Sequence, residues 1–319
     1  MRYKEAKNAG IQISELTAGT WGYDPEWWGE ADRKVIRETL YTAIDRGVNL
    51  IDTAARYGDG KVEKFLSTIL TPEYREKVYI CSKFGTYAET ENGVFKLHRN
   101  SSYDRVLWEC SQSLARLKTD CIDIYFQHWP DTETGTTIEE TVSALNELVK
   151  QGKIRWYGFS NTSIEAVKEA QKYGTVSFIQ PQYSLVRREA DELMRFCHKQ
   201  GIASITYGSL SGGILTGAFR TIPDWPETDA RYRFYDVYKE PRFSKIMELM
   251  KLIDRIAADH GAAPSHVALN WITQKDYVAS AISGFRRPER AVENCAAYDW
   301  ELSDSEIAEL DAEVLRLGL

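Results

Sequence analysis

Three ionisable residues, Asp52, Lys83 and His128, close three successive apolar runs in the first half of the chain. A carboxylate, an ammonium and an imidazole brought together could hold a paired charge, tune a proton donor and hydrogen-bond a polar substrate. Each has an ordinary reading when taken alone. Asp52 could cap the next turn, Lys83 could be a solvated strand end, and His128 a satisfied rim histidine. Three successive strands ending in this way favour one shared site over three coincidences. Later runs also end in polar residues: Ser160-Asn161, then Gln180 and Gln182, then Tyr207.

Such convergence requires elements whose ends share one rim. The sequence alternates short apolar runs with longer amphipathic ones. Strands are predicted over Leu16–Thr20, Val48–Asp52, Val78–Lys83, Ile122–His128, Ile154–Ser160, Val176–Gln182, Ala203–Tyr207 and Val278–Ser283. Helical periodicity follows each of them, with Gly47 and Gly152 as stop signals. Repeated strand–helix units imply a parallel sheet with right-handed crossovers. Eight such units argue for closure, whereas an open doubly wound sheet usually has fewer strands, and no G-x-G-x-x-G follows the first one. The expected fold is a single (β/α)8 TIM barrel over residues 1–319, with a short N-terminal β-hairpin and a C-terminal helical extension. In such a barrel the site lies at the C-terminal ends of the strands.

Composition narrows the function classes. The 319 residues carry a net charge of −7, with 43% hydrophobic and 27% charged residues. That balance disfavours nucleic-acid or anionic-membrane partners, which select for clustered Lys and Arg. Five cysteines without a C-x-x-C read as reduced thiols. The polar start MRYKEAKNAG shows no signal-peptide pattern, and a cytoplasmic chain is expected. Neither H-E-x-x-H nor G-x-S-x-G occurs, and Gly58-Asp59-Gly60-Lys61 is too short for a phosphate loop of the Walker type. No metal site is expected.

Asp52-Thr53-Ala54 followed by Tyr57-Gly58 resembles the D-T-A-x-x-Y-G motif of the aldo-keto reductases. Lys83 and His128, the latter in Gln127-His128-Trp129-Pro130, fall where that family keeps its catalytic lysine and histidine. Gly158-Phe159-Ser160-Asn161 resembles its G-x-S-N motif, and Tyr207 to Leu215 its Y-S-P-L-x-G-G-L-L segment, here without the proline. Gly284 to Asn294 resembles its C-terminal cofactor segment. The resemblance implies carbonyl reduction by hydride from NADPH, with Tyr57 donating the proton. It also implies that Lys83 lowers the pKa of Tyr57, that Asp52 holds Lys83, and that His128 orients the substrate carbonyl. Ser160, Asn161 and Gln180 would hold the nicotinamide carboxamide, and Tyr207 would stack on the ring. Leu210 and Gly212 would open the loop against the pyrophosphate. Arg287 aligns with the 2′-phosphate position, with Arg286 as a second contact. Arg290, Glu293 and Asn294 would lie against the adenine.

The partner expected is a small carbonyl or alcohol. Trp21, Trp27, Trp28, Tyr87 and Trp129 fall in loops at the expected rim, with Trp21 and Trp129 as the substrate contacts. Phe84 and the aromatics of the segment after strand seven (Trp225, Tyr232, Phe234, Tyr235) are further candidates. Two other classes are weighed: a cofactor-binding regulatory module resembling the potassium-channel β subunits, and a metal-dependent barrel hydrolase, which lacks a ligand cluster.

Overall fold

The structure is a computed structural model that describes residues 1–91, 94–227 and 229–319. Eight parallel strands close into a barrel. They are β1 (Leu16–Gly19), β2 (Leu50–Asp52), β3 (Tyr79–Phe84), β4 (Ile122–Gln127), β5 (Ile154–Ser160), β6 (Phe178–Gln180), β7 (Ala203–Thr206) and β8 (Ser280–Gly284). Each pairs with its sequence neighbours, and β8 closes the ring on β1. The helices that follow are α1 (Arg33–Asp45), α2 (Lys61–Ile69), α3 (Tyr103–Leu117), α4 (Ile138–Lys150), α5 (Ile164–Ala170), α6 (Asp191–Lys199), α7 (Arg242–Asp259), α8 (Pro264–Thr273), α9 (Pro288–Ala296) and α10 (Asp304–Leu317). The expected (β/α)8 barrel, its N-terminal hairpin and its C-terminal helix are all present.

Alternation along the strands divides the core in two. Leu50, Cys81, Ile124, Phe126, Phe178 and Ile205 fill the barrel interior. Ile51, Ile80, Tyr125 and Ile179 face the helices. Gly158 makes the interior fit: it pairs with both Phe126 and Phe178, and a Cβ there would meet the Phe178 carbonyl oxygen at 2.2 Å and the Phe126 ring at 2.8 Å. The hairpin of Tyr3–Ala6 and Ile11–Ser14 adds Ala6 and Ile13 to this interior cluster. Its Lys4 ammonium donates to the carbonyls of Thr273, Lys275 and Val278.

Four local features depart from the sequence reading. Strand β6 is shorter than Val176–Gln182, because Pro181 has no N–H to give the ladder. Strand β8 begins at Ser280 rather than Val278, whose N–H closes a turn on Lys275. The segment after β3 is an antiparallel hairpin, Thr86–Glu91 with Val94–Arg99, so Tyr87 lies in a strand and not a loop. Trp27 and Trp28 sit in a short helix, Pro25–Trp28.

One buried contact ties helices to the site-bearing strand. Glu63 of α2 is fully buried; its Oε1 accepts from Ser82 Oγ at 2.5 Å and its Oε2 from Arg116 Nε at 2.6 Å. Arg116 reaches it by lying directly on Gly60, where a Cβ would come within 2.4 Å of its Cδ. Removing one partner of a buried pair costs about 3–5 kcal/mol. Glu63→Gln points an amide donor at one of two donors, so it is expected to lower stability by roughly 3 kcal/mol. The shift of the urea-unfolding midpoint measures this.

Candidate active site

Period-two alternation also aims the polar strand ends. Asp52 lies two residues beyond Leu50, Lys83 beyond Cys81, His128 beyond Phe126, Gln180 beyond Phe178 and Tyr207 beyond Ile205. Each therefore continues an inward-facing series, one layer above the apolar interior. His128 and Tyr207 fall one residue past their strands but stay in register. His128 N–H donates to the Phe84 carbonyl (3.0 Å) and Tyr207 N–H to that of Pro181 (3.0 Å).

Above this layer opens a cavity of about 690 Å³. At its base Asp52 and Lys83, 3% and 2% exposed, form an ion pair. Lys83 Nζ donates to both carboxylate oxygens of Asp52 (2.8 and 2.9 Å) and to the Thr53 carbonyl (2.8 Å). These use all three ammonium hydrogens. Gln180 Nε2 adds a bond to Asp52 Oδ1 at 2.8 Å.

Tyr57 stands over the pair, its ring centroid 5.1 Å from Lys83 Nζ and 6.1 Å from the His128 ring. Its phenol pKa is not lowered. Burial pushes it well above 10, and the negative charges of Asp52 and Asp24 act in the same direction. Burial is the leading cause, and Lys83, paired with Asp52 at contact distance, does not offset it. His128 moves the other way. Burial, then the positive charges of Lys83 and Arg56, hold its pKa well below 6.5, so the imidazole is neutral around pH 7.

The opposite wall carries a polar chain. Asn161, in a left-handed conformation (φ 55°), donates from Nδ2 to the His128 carbonyl (2.9 Å) and to Ser160 Oγ (3.2 Å), and accepts at Oδ1 from the Tyr207 hydroxyl (2.7 Å). Ser160 donates to the Gln180 carbonyl at 2.9 Å. Next come Leu210 and Gly212, which line the cavity; the Tyr235 ring lies so close to Gly212 that a Cβ there would sit 2.9 Å from it.

The far end is lined by Arg286, Arg290, Glu293 and Asn294, while Arg287 is exposed at the start of α9 and outside the lining. Arg286 is already engaged. Its guanidinium donates to the carbonyls of Trp28 (2.7 Å), Gly29 (3.3 Å) and Glu30 (3.2 Å), pinning the loop after β1 to the end of β8. Arg290 pairs with Glu293 at 2.6 Å, and Asn294 donates to Ser283 Oγ at 2.9 Å.

Trp21 and Trp129 both line the mouth. Trp21 makes edge contacts with Trp28 (5.2 Å) and Phe234 (5.3 Å), and the Arg99 guanidinium lies 5.1 Å from the Trp129 ring. Trp27, Trp28, Phe234 and Tyr235 join them, whereas Phe84, Tyr87, Trp225 and Tyr232 are not part of the lining. Sequence reading missed Asp24, Arg56, Thr86 and Leu97, which are. Asp24 before Pro25 is a helix-start signal, and Asn92-Gly93 between two alternating runs is a hairpin signal that would have placed Thr86 and Leu97. Among the described residues no group of three or more His, Cys, Asp or Glu is arranged to hold a metal, and no helix is long and apolar enough to cross a membrane.

Comparison with known proteins agrees with this geometry. The model of the aldo/keto reductase family matches residues 15–314. The chain is 33% identical over 310 residues to aldo-keto reductase YhdN of Bacillus subtilis (strain 168), covering 96% of this chain and 91% of that protein. It is 33% identical over 306 residues to the NADH-specific methylglyoxal reductase of Escherichia coli (strain K12), covering 93% of each. The structure of the glycerol dehydrogenase AKR11B4 from Gluconobacter oxydans superimposes with a TM-score of 0.89 at 29% identity, over 98% of this chain and 95% of that one. The chain belongs to the aldo/keto reductase family, oxidoreductases that act on carbonyl compounds with nicotinamide cofactors.

Proposed function

We propose that this protein reduces an aldehyde or ketone to an alcohol with NADPH, Tyr57 supplying the proton. The observation that carries the reading is the meeting of Asp52, Lys83, Tyr57 and His128 at one end of a cavity whose other end holds arginines.

The residues present fit a nicotinamide dinucleotide. Gly208, Gly212 and Gly213 line the cavity with backbone alone, their missing side chains making way for Gln182, Tyr235 and Phe219, and exposed backbone of this kind suits a phosphate. Ser160 and Asn161 would hold the carboxamide, with the side-chain amide oxygen of Gln180, whose Nε2 is taken by Asp52, beside them. Tyr207 would stack on the ring, its hydroxyl fixed by Asn161. Leu210 and Gly212 would border the pyrophosphate. By the resemblance Arg287 would meet the 2′-phosphate, Arg286 being committed to the rim loop, and Arg290, Glu293 and Asn294 would border the adenine. Guanidinium groups suit this role because they present fixed, parallel donors. The bound cofactor supplies the hydride.

The remaining chemistry belongs to the chain. Neutral His128 donates a hydrogen bond to the carbonyl oxygen and orients it. Tyr57 keeps its proton through neutral pH, because burial and Asp52 disfavour the phenolate. It gives that proton to the oxygen only as the latter gains alkoxide character, which is far more basic than a phenolate. Lys83, 5.1 Å from the Tyr57 ring centroid, stabilises the phenolate through space as it forms, and Asp52 keeps Lys83 in place. The apolar mouth around Trp21, Trp129 and Phe234 accommodates an apolar or aromatic carbonyl, or the face of a sugar.

The test is NADPH consumption against aromatic aldehydes, aliphatic aldehydes and aldoses. Turnover supports the reading; tight NADPH binding without turnover on any of them supports the regulatory alternative. Tyr57→Phe is expected to lower kcat by roughly 100-fold or more while leaving NADPH affinity intact, measured by steady-state kinetics and tryptophan quenching. Arg287→Ala is expected to weaken NADPH binding roughly 10-fold or more with NADH nearly unchanged. Equal losses would remove Arg287 from the 2′-phosphate and open the NADH-specific behaviour named for the Escherichia coli relative. The reduction rate is expected to be flat between pH 7 and pH 9, because the Tyr57 phenol titrates above this window and His128 below it. A limb inside the window, in a kcat–pH profile, contradicts that assignment.

A further inference from the structure

We propose that Asp24, in the loop after β1, is the positioning residue that fixes the orientation of Tyr57. The proposal rests on the reading of Tyr57 as the proton donor and goes one step behind it.

Tyr57 opens a turn of unusual backbone. The three residues after it, Gly58, Asp59 and Gly60, all have positive φ (56°, 50° and 81°). Left-handed residues in sequence are held by surrounding contacts rather than by local preference. Nothing in this turn is a regular helix that would orient Tyr57 through its own ladder.

Asp24 supplies the missing restraint. It is 1% exposed, and its two carboxylate oxygens are used separately. Oδ1 accepts from the Glu26 N–H at 2.9 Å, which caps the short helix Pro25–Trp28. Oδ2 accepts from the Gly58 N–H at 2.8 Å. That N–H belongs to the peptide plane shared by Tyr57 and Gly58. The preceding plane is fixed as well, because Tyr57 N–H donates to the Ala54 carbonyl at 3.1 Å. With both flanking planes held, the direction in which Tyr57 leaves the backbone is set. A helix cap needs only one oxygen, so the second bond is additional to capping.

The same loop is anchored at the ion pair. Thr20 N–H and Thr20 Oγ both donate to the Asp52 carbonyl, at 3.0 and 2.9 Å. The short stretch Thr20 to Asp24 thus spans from the residue that holds Lys83 to the residue after the proton donor. Arg56 reinforces the turn from the other side, pairing with Asp59 at 3.0 Å and Glu26 at 3.4 Å.

A carboxylate is required at position 24. Asparagine has the same shape but one acceptor, so it satisfies either Glu26 or Gly58 and turns an amide donor toward the other. Asp24→Asn should therefore misplace Tyr57. Because Asp24 also lines the cavity and its charge disfavours the Tyr57 phenolate, KM and the kcat–pH profile separate displacement from a pocket or electrostatic effect. Gly58→Ala is the independent probe: it keeps Asp24 but strains the left-handed position whose N–H it holds.

The experiment compares wild type, Asp24→Asn, Gly58→Ala and Tyr57→Phe. Measured are kcat with its pH profile and KM for the best carbonyl of the panel, NADPH affinity and the circular dichroism melt. Asp24→Asn and Gly58→Ala are expected to lower kcat by roughly 10- to 100-fold, with KM and NADPH affinity unchanged. A folded Asp24→Asn with wild-type kcat overturns the proposal. So does a rise in KM at constant kcat, which would make Asp24 a pocket residue. Should Asp24→Asn not fold, Gly58→Ala decides alone, and wild-type kcat there overturns it. If wild type reduces no carbonyl, or Tyr57→Phe matches wild type, the reading of the site fails, and this inference falls with it.

Discussion

The buried ion pair between Asp52 and Lys83 is the constraint around which the rest is arranged. Two charges withdrawn from water are costly, and leaving either one alone costs about 3–5 kcal/mol. The protein meets this with bonds from separate elements. Asp52 and the Thr53 carbonyl come with β2, Lys83 comes from β3, and Gln180 reaches Asp52 from β6. In the strand order of the ring, β2 and β6 stand on opposite sides. Closure of the barrel therefore adds the last bond to the pair and puts the charge at the base of the cavity.

That placement explains the behaviour of the neighbouring groups. Burial, with Asp52 acting in the same direction, outweighs Lys83 at Tyr57 and decides the state of the phenol. The same lysine, with Arg56, still counts against a second positive charge on His128. The outcome is a protonated phenol and a neutral imidazole facing one space, which is the protonation state that carbonyl reduction needs. Around them the rim is tied by polar bonds as well as by packing. Asn161 links the His128 carbonyl to the Tyr207 hydroxyl, and Arg286 holds three carbonyls of the loop after β1.

Much of this was legible in the residues, for identifiable reasons. Apolar runs of strand length, each ended by a polar residue, follow directly from a barrel whose interior is apolar and whose mouth is chemical. Asp52, Lys83, His128, Gln180 and Tyr207 were found in this way because inward-facing positions recur every second residue. What stayed hidden depended on partners distant in sequence. Arg286 reads as a phosphate ligand beside Arg287, and only the fold brings the carbonyls of Trp28 to Glu30 against it. Asp24 reads as a helix cap, since its bond to Gly58 spans two loops. The direction of the Tyr57 pKa is set by burial among residues distant in sequence, which motif spacing does not carry. The hairpin after β3 was missed although alternation and Asn92-Gly93 announce it.

The proposed carbonyl reduction requires a nicotinamide whose carboxamide Ser160 and Asn161 would hold, so that the hydride it supplies reaches the carbonyl carbon from one face. The most direct measurement is a single turnover with NADPH carrying deuterium on one face of C4, then on the other, with the product alcohol analysed by mass spectrometry and proton NMR. The account predicts one deuterium at the former carbonyl carbon from one labelled face only, because a pinned carboxamide presents a single face. Deuterium from both faces would contradict the pinned geometry, and unlabelled alcohol would contradict direct transfer.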